Sequence, residues 1–189
     1  MANSDNTLQG KKIAFLVANE GVEEVELTEP WRVIEEAGGR PQLIATAADK
    51  KVQAFNHLDK ADTFAVDLAT ADADPAEFDG LVLPGGVANP DQLRTDAAAI
   101  TFIQAMFQAG KPVAVICHGP WTLVEAGVLK GRTITSWPSI QTDIRNAGGT
   151  WVDEEVHVDN GLVSSRKPDD LPAFCKKMVE EFAEGSHRR

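Results

Sequence analysis

Short apolar runs, each followed by a stretch of helical spacing, constrain this chain more than any other feature. Lys12–Ala18 (KIAFLVA) is apolar without alternation, the pattern of a strand buried on both faces. Gln42–Ala45, Asp79–Leu83 and Val113–Ile116 repeat it. Residues 22–37 carry apolar side chains at roughly helical spacing and stop at Gly38-Gly39, with Pro30 expected to kink the helix or mark a fresh start. Further helices are expected at 96–109, 121–129, 138–147 and 172–184. Residues 51–68 read as less regular β structure, 72–77 as a loop and 133–135 as a short strand. Residues 151–165 read as strand-like around an Asn160-Gly161 hairpin turn. Such alternation argues for an α/β fold with a mostly parallel sheet covered on both faces. Sites in such sheets gather at the carboxyl ends of the strands, where loops 19–26, 84–94 and 117–120 are expected to converge.

At 189 residues the chain has the size of one domain with a sizeable core. Its net charge of −11, from 29 acidic against 18 basic residues, repels phosphate backbones and anionic lipid. No nucleic-acid or membrane partner is expected. The beginning, MANSDNTLQGKK, lacks the charged-then-apolar order of a secretory signal, and no run is long enough to span a bilayer. A cytoplasmic location is the expectation. Two cysteines, Cys117 and Cys175, do not make a disulfide framework, and no CxxC, HExxH or clustered His/Cys spacing supports a zinc site. No metal or cofactor is expected.

The chemical signal is VAVICHGPWTLVEAG. A buried strand turns directly into a helix with Cys117 at the corner, Gly119 two residues later and Pro120 suited to the first helical turn. A thiol there, close to helix N-terminal amides, is expected to ionise easily. The competing reading is a buried structural cysteine, and Cys175, beside Phe174 in the last helix, takes that reading. His118 could act as general base if it turns toward the thiol, or simply face solvent. His57, His157 and His187 carry no assignment. Among the acids of ANEGVEEVE, Glu23 and Glu26 share a helix face, and a carboxyl buried beside a thiol would be raised in pKa and able to donate to the thiolate. Glu20 and Glu24 read as solvated. Pro84-Gly85-Gly86 could present bare amides to an oxyanion or be only a turn.

Together these residues resemble the PfpI family of intracellular-protease-like proteins, within the class I glutamine amidotransferase-like superfamily. The resemblance runs from about Lys11 to Ala183 through ANE and VEL (Glu26), EFDGLVLPGG, KPVAVICHGPWTLVEAGVLKGR and VSSRKPDDLPAF. It implies a flavodoxin-like three-layer sandwich at 11–184, flanked by tails at 1–10 and 185–189. It also implies Cys117 as nucleophile at an elbow, Glu26 as its hydrogen-bonding glutamate, and His118 beside it. The N–H groups of Gly86 and His118 would form the oxyanion hole. In protease-like members a neighbouring subunit completes the triad from the loop after PGG. Here that loop reads VANPDQLR, so Asp91 is the matching position, and a homodimer or hexamer is implied. The distant His-x-Glu pair of the related glutaminases is not found, which argues against amide transfer. Family members are described as peptidases, as glyoxalase- or deglycase-type enzymes and as stress proteins. Three functions follow: a cysteine hydrolase acting on peptide or small carbonyl substrates, a redox-responsive stress protein oxidised at Cys117, and a non-catalytic chaperone.

Overall fold

A computed structural model of the chain describes residues 6–187. Lys12–Val17 forms strand β1, and its lack of alternation has a direct cause. Ile13, Phe15 and Val17 pack into one core, while Ala14 and Leu16 pack into a second on the opposite face. Strands β2 (Glu20–Glu23), β3 (Arg40–Ala45), β4 (Val52–Asn56), β5 (Asp59–Phe64) and β6 (Leu68–Ala69) follow, with helix α1 (Glu24–Glu36) after β2. Next come β7 (Gly80–Leu83), α2 (Ala88–Leu93), α3 (Ala97–Gln108), β8 (Val113–Ile116) and α4 (Pro120–Ala126). The chain continues through β9 (Thr133–Ile134), α5 (Gln141–Asn146), β10 (Thr150–Trp151), β11 (His157–Asp159), β12 (Leu162–Ser165) and α6 (Leu171–Glu184).

Seven strands form the central sheet in the order β11-β12-β8-β7-β1-β3-β6, parallel except for β11 at one edge. Helices α1 and α6 cover one face with Leu27, Ile34, Phe174, Met178 and Phe182. Helices α3, α4 and α5 cover the other with Phe102, Ile103, Met106, Leu123 and Ile144. This is the three-layer α/β sandwich expected. No helix among the described residues is long and apolar enough to cross a membrane.

Local spacing misleads in four places. Residues 20–23 are strand rather than loop or helix, because Val22 is fully buried and pairs in parallel with Ala54 of β4; long-range pairing overrides short-range periodicity. Helix α1 runs through Pro30 as one helix, its buried Leu27, Pro30 and Ile34 packed inward. Residues 88–93, expected as loop, make α2. Residues 6–10, read as tail, fold back onto α1: Leu8 is fully buried and its N–H donates to the Ala37 carbonyl at 2.8 Å. In the other expected tail, 185–189, the His187 N–H donates to the Gly110 carbonyl at 2.7 Å, while residues 1–5 and 188–189 lie outside the described residues.

Strand register creates the site. Leu83 pairs with Val115, so β7 and β8 end side by side, and the turns Pro84–Gly86 and Cys117–Gly119 leave the sheet together. Asn89, buried in α2, fastens the first of these turns to the end of β1. Its Oδ1 accepts the Ala18 N–H at 2.7 Å, and its Nδ2 donates to the carbonyls of Pro84 (3.1 Å) and Gly85 (3.0 Å). Truncation would leave buried backbone groups without partners, at about 1–3 kcal/mol each. Asn89→Ala is therefore expected to lose about 3 kcal/mol of stability in urea unfolding; a loss below ~0.5 kcal/mol would show that the clamp is dispensable.

Candidate active site

Cys117 sits at φ +62°, one of three non-glycine residues in the left-handed region among the described residues. For an L-residue with a Cβ this costs about 1–3 kcal/mol and persists only where the surroundings enforce it. Those surroundings are tight. A Cβ on Gly85 would lie 2.6 Å from Cys117 Cβ and 2.5 Å from Glu26 Oε2, and one on Gly119 would lie 2.8 Å from the Leu83 carbonyl. The two glycines let the turns touch. The Cys117 N–H donates to the Ser165 carbonyl at 3.1 Å, and its own carbonyl accepts the Trp137 N–H at 2.9 Å. An elbow pinned on both sides holds the side chain where strand meets helix.

The three expected loops do converge. They line an open cavity of ≈910 Å³ that contains Glu26, Cys117 and His118, with Phe55, Trp121 and Trp137 as aromatic walls. Leu58, Val87 and Trp137, the exposed large hydrophobics among the described residues, all belong to it. Phe55 and Leu58 come from the hairpin of β4 and β5, which sequence spacing did not connect to the site. Glu23 secures this hairpin, its carboxylate accepting the His57 N–H at 3.1 Å. Glu24, read as solvated, accepts the Asp62 N–H at 2.7 Å on the same hairpin, whereas Glu20 is exposed.

Glu26 is fully buried, and Oε2 accepts the Gly85 N–H at 2.8 Å. Its other neighbour is the Cys117 side chain, at a geometry that leaves Oε1 without a formed hydrogen bond. Burial pushes the carboxyl up to about 8, against the opposing pull of the Gly85 N–H. Burial also pushes the Cys117 thiol up, reinforced by the charge of Glu26 and opposed by the N–H groups of Gly86 and His118. The easily ionised thiol expected from the elbow is therefore not the resting state: Cys117 is only 7% exposed, and desolvation outweighs the amides. The two groups are coupled. With Glu26 holding its proton near neutrality the repulsion disappears, and the carboxyl can donate to sulfur once the thiol ionises.

His118 does turn toward its neighbour. Its Nδ1 lies 3.2 Å from Cys117 Sγ and its Nε2 lies 3.4 Å from Ser139 Oγ. The ring is held between Trp137, stacked at 5.8 Å and 25°, and Trp121, tilted at 5.4 Å and 59°. Burial lowers its pKa, so the imidazole rests neutral. Asp91, exposed on α2, lines the same cavity, and within the chain its carboxylate meets no donor among the described residues. Cys175 is buried in α6, its thiol pushed up to about 12 by burial, in keeping with an inert filler. Away from the cavity, Glu181, Glu184 and His187 bring ligand-type atoms within 4.8 Å of one another, with His187 Nε2 3.1 Å from a Glu181 carboxylate oxygen.

The Glu26 shift has a sign that stability measurements can read. Its carboxyl rises from 4.5 to about 8 on folding, so the folded state binds this proton more tightly. The resulting stabilisation is fully present below pH 4.5 and is lost as pH rises through 8. Wild-type stability is expected to fall between about pH 5 and 8 by at most roughly 4 kcal/mol from this group. Glu26→Gln, which keeps the shape without the titration, should flatten that slope in urea unfolding across the range. Identical slopes in the two proteins would contradict the assignment.

Comparison with known proteins places the geometry. Residues 11–181 match the DJ-1/PfpI family. Over 169 residues the chain is 45% identical to a protein of Pyrococcus furiosus named deglycase PfpI, covering 89% of this chain and 98% of that one. The crystal structure of Drosophila melanogaster DJ-1beta superposes with a TM-score of 0.83 at 26% identity, over 92% of this chain and 90% of that one. A ThiJ/PfpI domain protein of Brachyspira murdochii shares the fold, with a TM-score of 0.85 at 20% identity over 93% and 98% of the two chains. The chain belongs to the DJ-1/PfpI family.

Proposed function

We propose that the chain is a cysteine-dependent hydrolase of the deglycase type, releasing amines from their carbonyl adducts, with Cys117 as nucleophile. One observation carries the reading: a strained, glycine-walled turn holds Sγ 3.2 Å from a neutral imidazole nitrogen inside a cavity large enough for a small substrate. Relatives named deglycase at this level of identity support the substrate class.

The chemistry follows from the resting protonation states. A neutral thiol beside a neutral imidazole is unreactive until a carbonyl carbon approaches. His118 then takes the S–H proton at Nδ1 as sulfur forms its bond to carbon. The carbonyl electron pair moves to oxygen, where the N–H groups of Gly86 and His118, already directed at the thiol region, would meet the developing charge. Collapse of that oxyanion breaks the C–N bond as the imidazolium gives its proton to the departing amine; water, deprotonated at the same nitrogen, then attacks the thioester carbon, and the proton returns to sulfur as the acid leaves. Neutral Glu26, at the back of the sulfur, adds no repulsion to the thiolate.

A second reading, oxidant sensing at Cys117, draws support from Glu26 alone: a protonated buried carboxyl beside sulfur can donate to a sulfinate oxygen. Mild peroxide followed by mass spectrometry tests it, because preferential oxidation of Cys175 would count against it. For the main reading, Cys117→Ala is expected to abolish turnover of methylglyoxal-modified amines and of peptide substrates while the fold persists. Turnover that survives this change would end the hydrolase assignment.

A further inference from the structure

His118 must satisfy two conditions to act as a base toward Cys117: its Nδ1 must face the sulfur, and that nitrogen must be bare. The fold meets the first through the tryptophan clamp. The second depends on which nitrogen carries the single proton of the neutral ring, and that choice is made by whatever stands at Nε2. Among the described residues no carboxylate reaches Nε2; the group there is the hydroxyl of Ser139.

Ser139 is well placed to make the choice. It lies in the 3-10 turn Pro138–Ile140, whose Ile140 is buried and donates its N–H to the Trp137 carbonyl at 3.2 Å. Trp137 in turn donates its N–H to the Cys117 carbonyl, so the turn bearing the hydroxyl is tied to the turn bearing the thiol. The hydroxyl makes no other hydrogen bond among the described residues. Charged groups nearby are otherwise engaged: Asp143 accepts the Trp121 indole N–H at 2.9 Å, and Arg94 lies 5.9 Å over the Trp121 ring while pairing with Glu125. The acids lining the cavity are Glu20, Glu23, Glu26 and Asp91.

We infer that Ser139 is the positioning residue for His118: its hydroxyl accepts the Nε2 proton and so holds the imidazole in the tautomer whose bare Nδ1 faces the Cys117 sulfur. This rests on Cys117 being the reacting atom and adds the group that prepares its base within one chain. When the thiol proton passes to Nδ1, the ring becomes an imidazolium with one N–H toward sulfur and the other still given to Ser139 Oγ. The charge is then stabilised by a neutral acceptor, where a triad would use a carboxylate.

The ring proton can be located without substrate. In the full chain labelled with 15N-histidine, the ring shifts of His118 are expected to report a protonated Nε2 in the wild type and in Ser139→Thr, which keeps the hydroxyl. Ser139→Ala is expected to show a mixture of tautomers. Alkylation of Cys117 by iodoacetamide, followed residue by residue by mass spectrometry, should move to higher pH by about one unit in Ser139→Ala, the size of one hydrogen bond to a charged group, and return in Ser139→Thr. A wild-type tautomer and profile in Ser139→Ala would overturn the inference. So would an Asp91→Asn variant that displaces the profile while Ser139→Ala does not, since Nε2 would then belong to a second copy's carboxylate. The tautomer is read independently of turnover, so the hydrolase assignment can fail while this one stands, and the reverse.

Discussion

The site exists because two parallel strands stop at the same height. Once β7 and β8 are in register, their following turns occupy neighbouring positions at the sheet edge, and there is no room between them for a side chain. Gly85 and Gly119 are the residues that allow this approach; everything chemical is hung on it. The carboxyl of Glu26 enters from α1 beneath the contact and takes the Gly85 N–H, while Cys117 is forced upward into a backbone conformation that its own Cβ disfavours.

The same closeness sets the protonation of the site. A carboxyl, a thiol and an imidazole lie buried together, and among the described residues no lysine or arginine lines the cavity to stabilise a negative charge. Each group is consequently driven toward its neutral form: the carboxyl and thiol upward, the imidazole downward. On the reading proposed above, reactivity comes from moving one proton over about 3 Å when a substrate arrives, rather than from a thiolate held ready.

Much of this was legible in the residues alone. KIAFLVA announces a doubly covered strand because nothing in it alternates, and ICHGP announces an elbow because a nucleophile, a glycine and a helix-starting proline occur at fixed offsets. Glu26 became identifiable through family resemblance, since its helix spacing alone does not distinguish it from Glu23. What stayed hidden is what long-range topology supplies. Asn89 reads like any loop asparagine until its amide is seen to join the end of β1 to the Pro84-Gly85 turn. Trp137 and Ser139 follow a two-residue strand whose place beside Cys117 no local pattern encodes. The thiol was misjudged for the opposite reason: helix-end amides are visible in sequence, whereas the desolvation that outweighs them is a property of the packed site.

The left-handed backbone at position 117 also bears on how this protein can change. Glycine is the residue that suits that conformation best, and it is the one that abolishes the sulfur. A laboratory selection for heat resistance alone would therefore be drawn toward a sturdier molecule with an empty corner. On the proposed reading, keeping cysteine there trades some robustness for chemistry, offset in part by the packing of its side chain in the core.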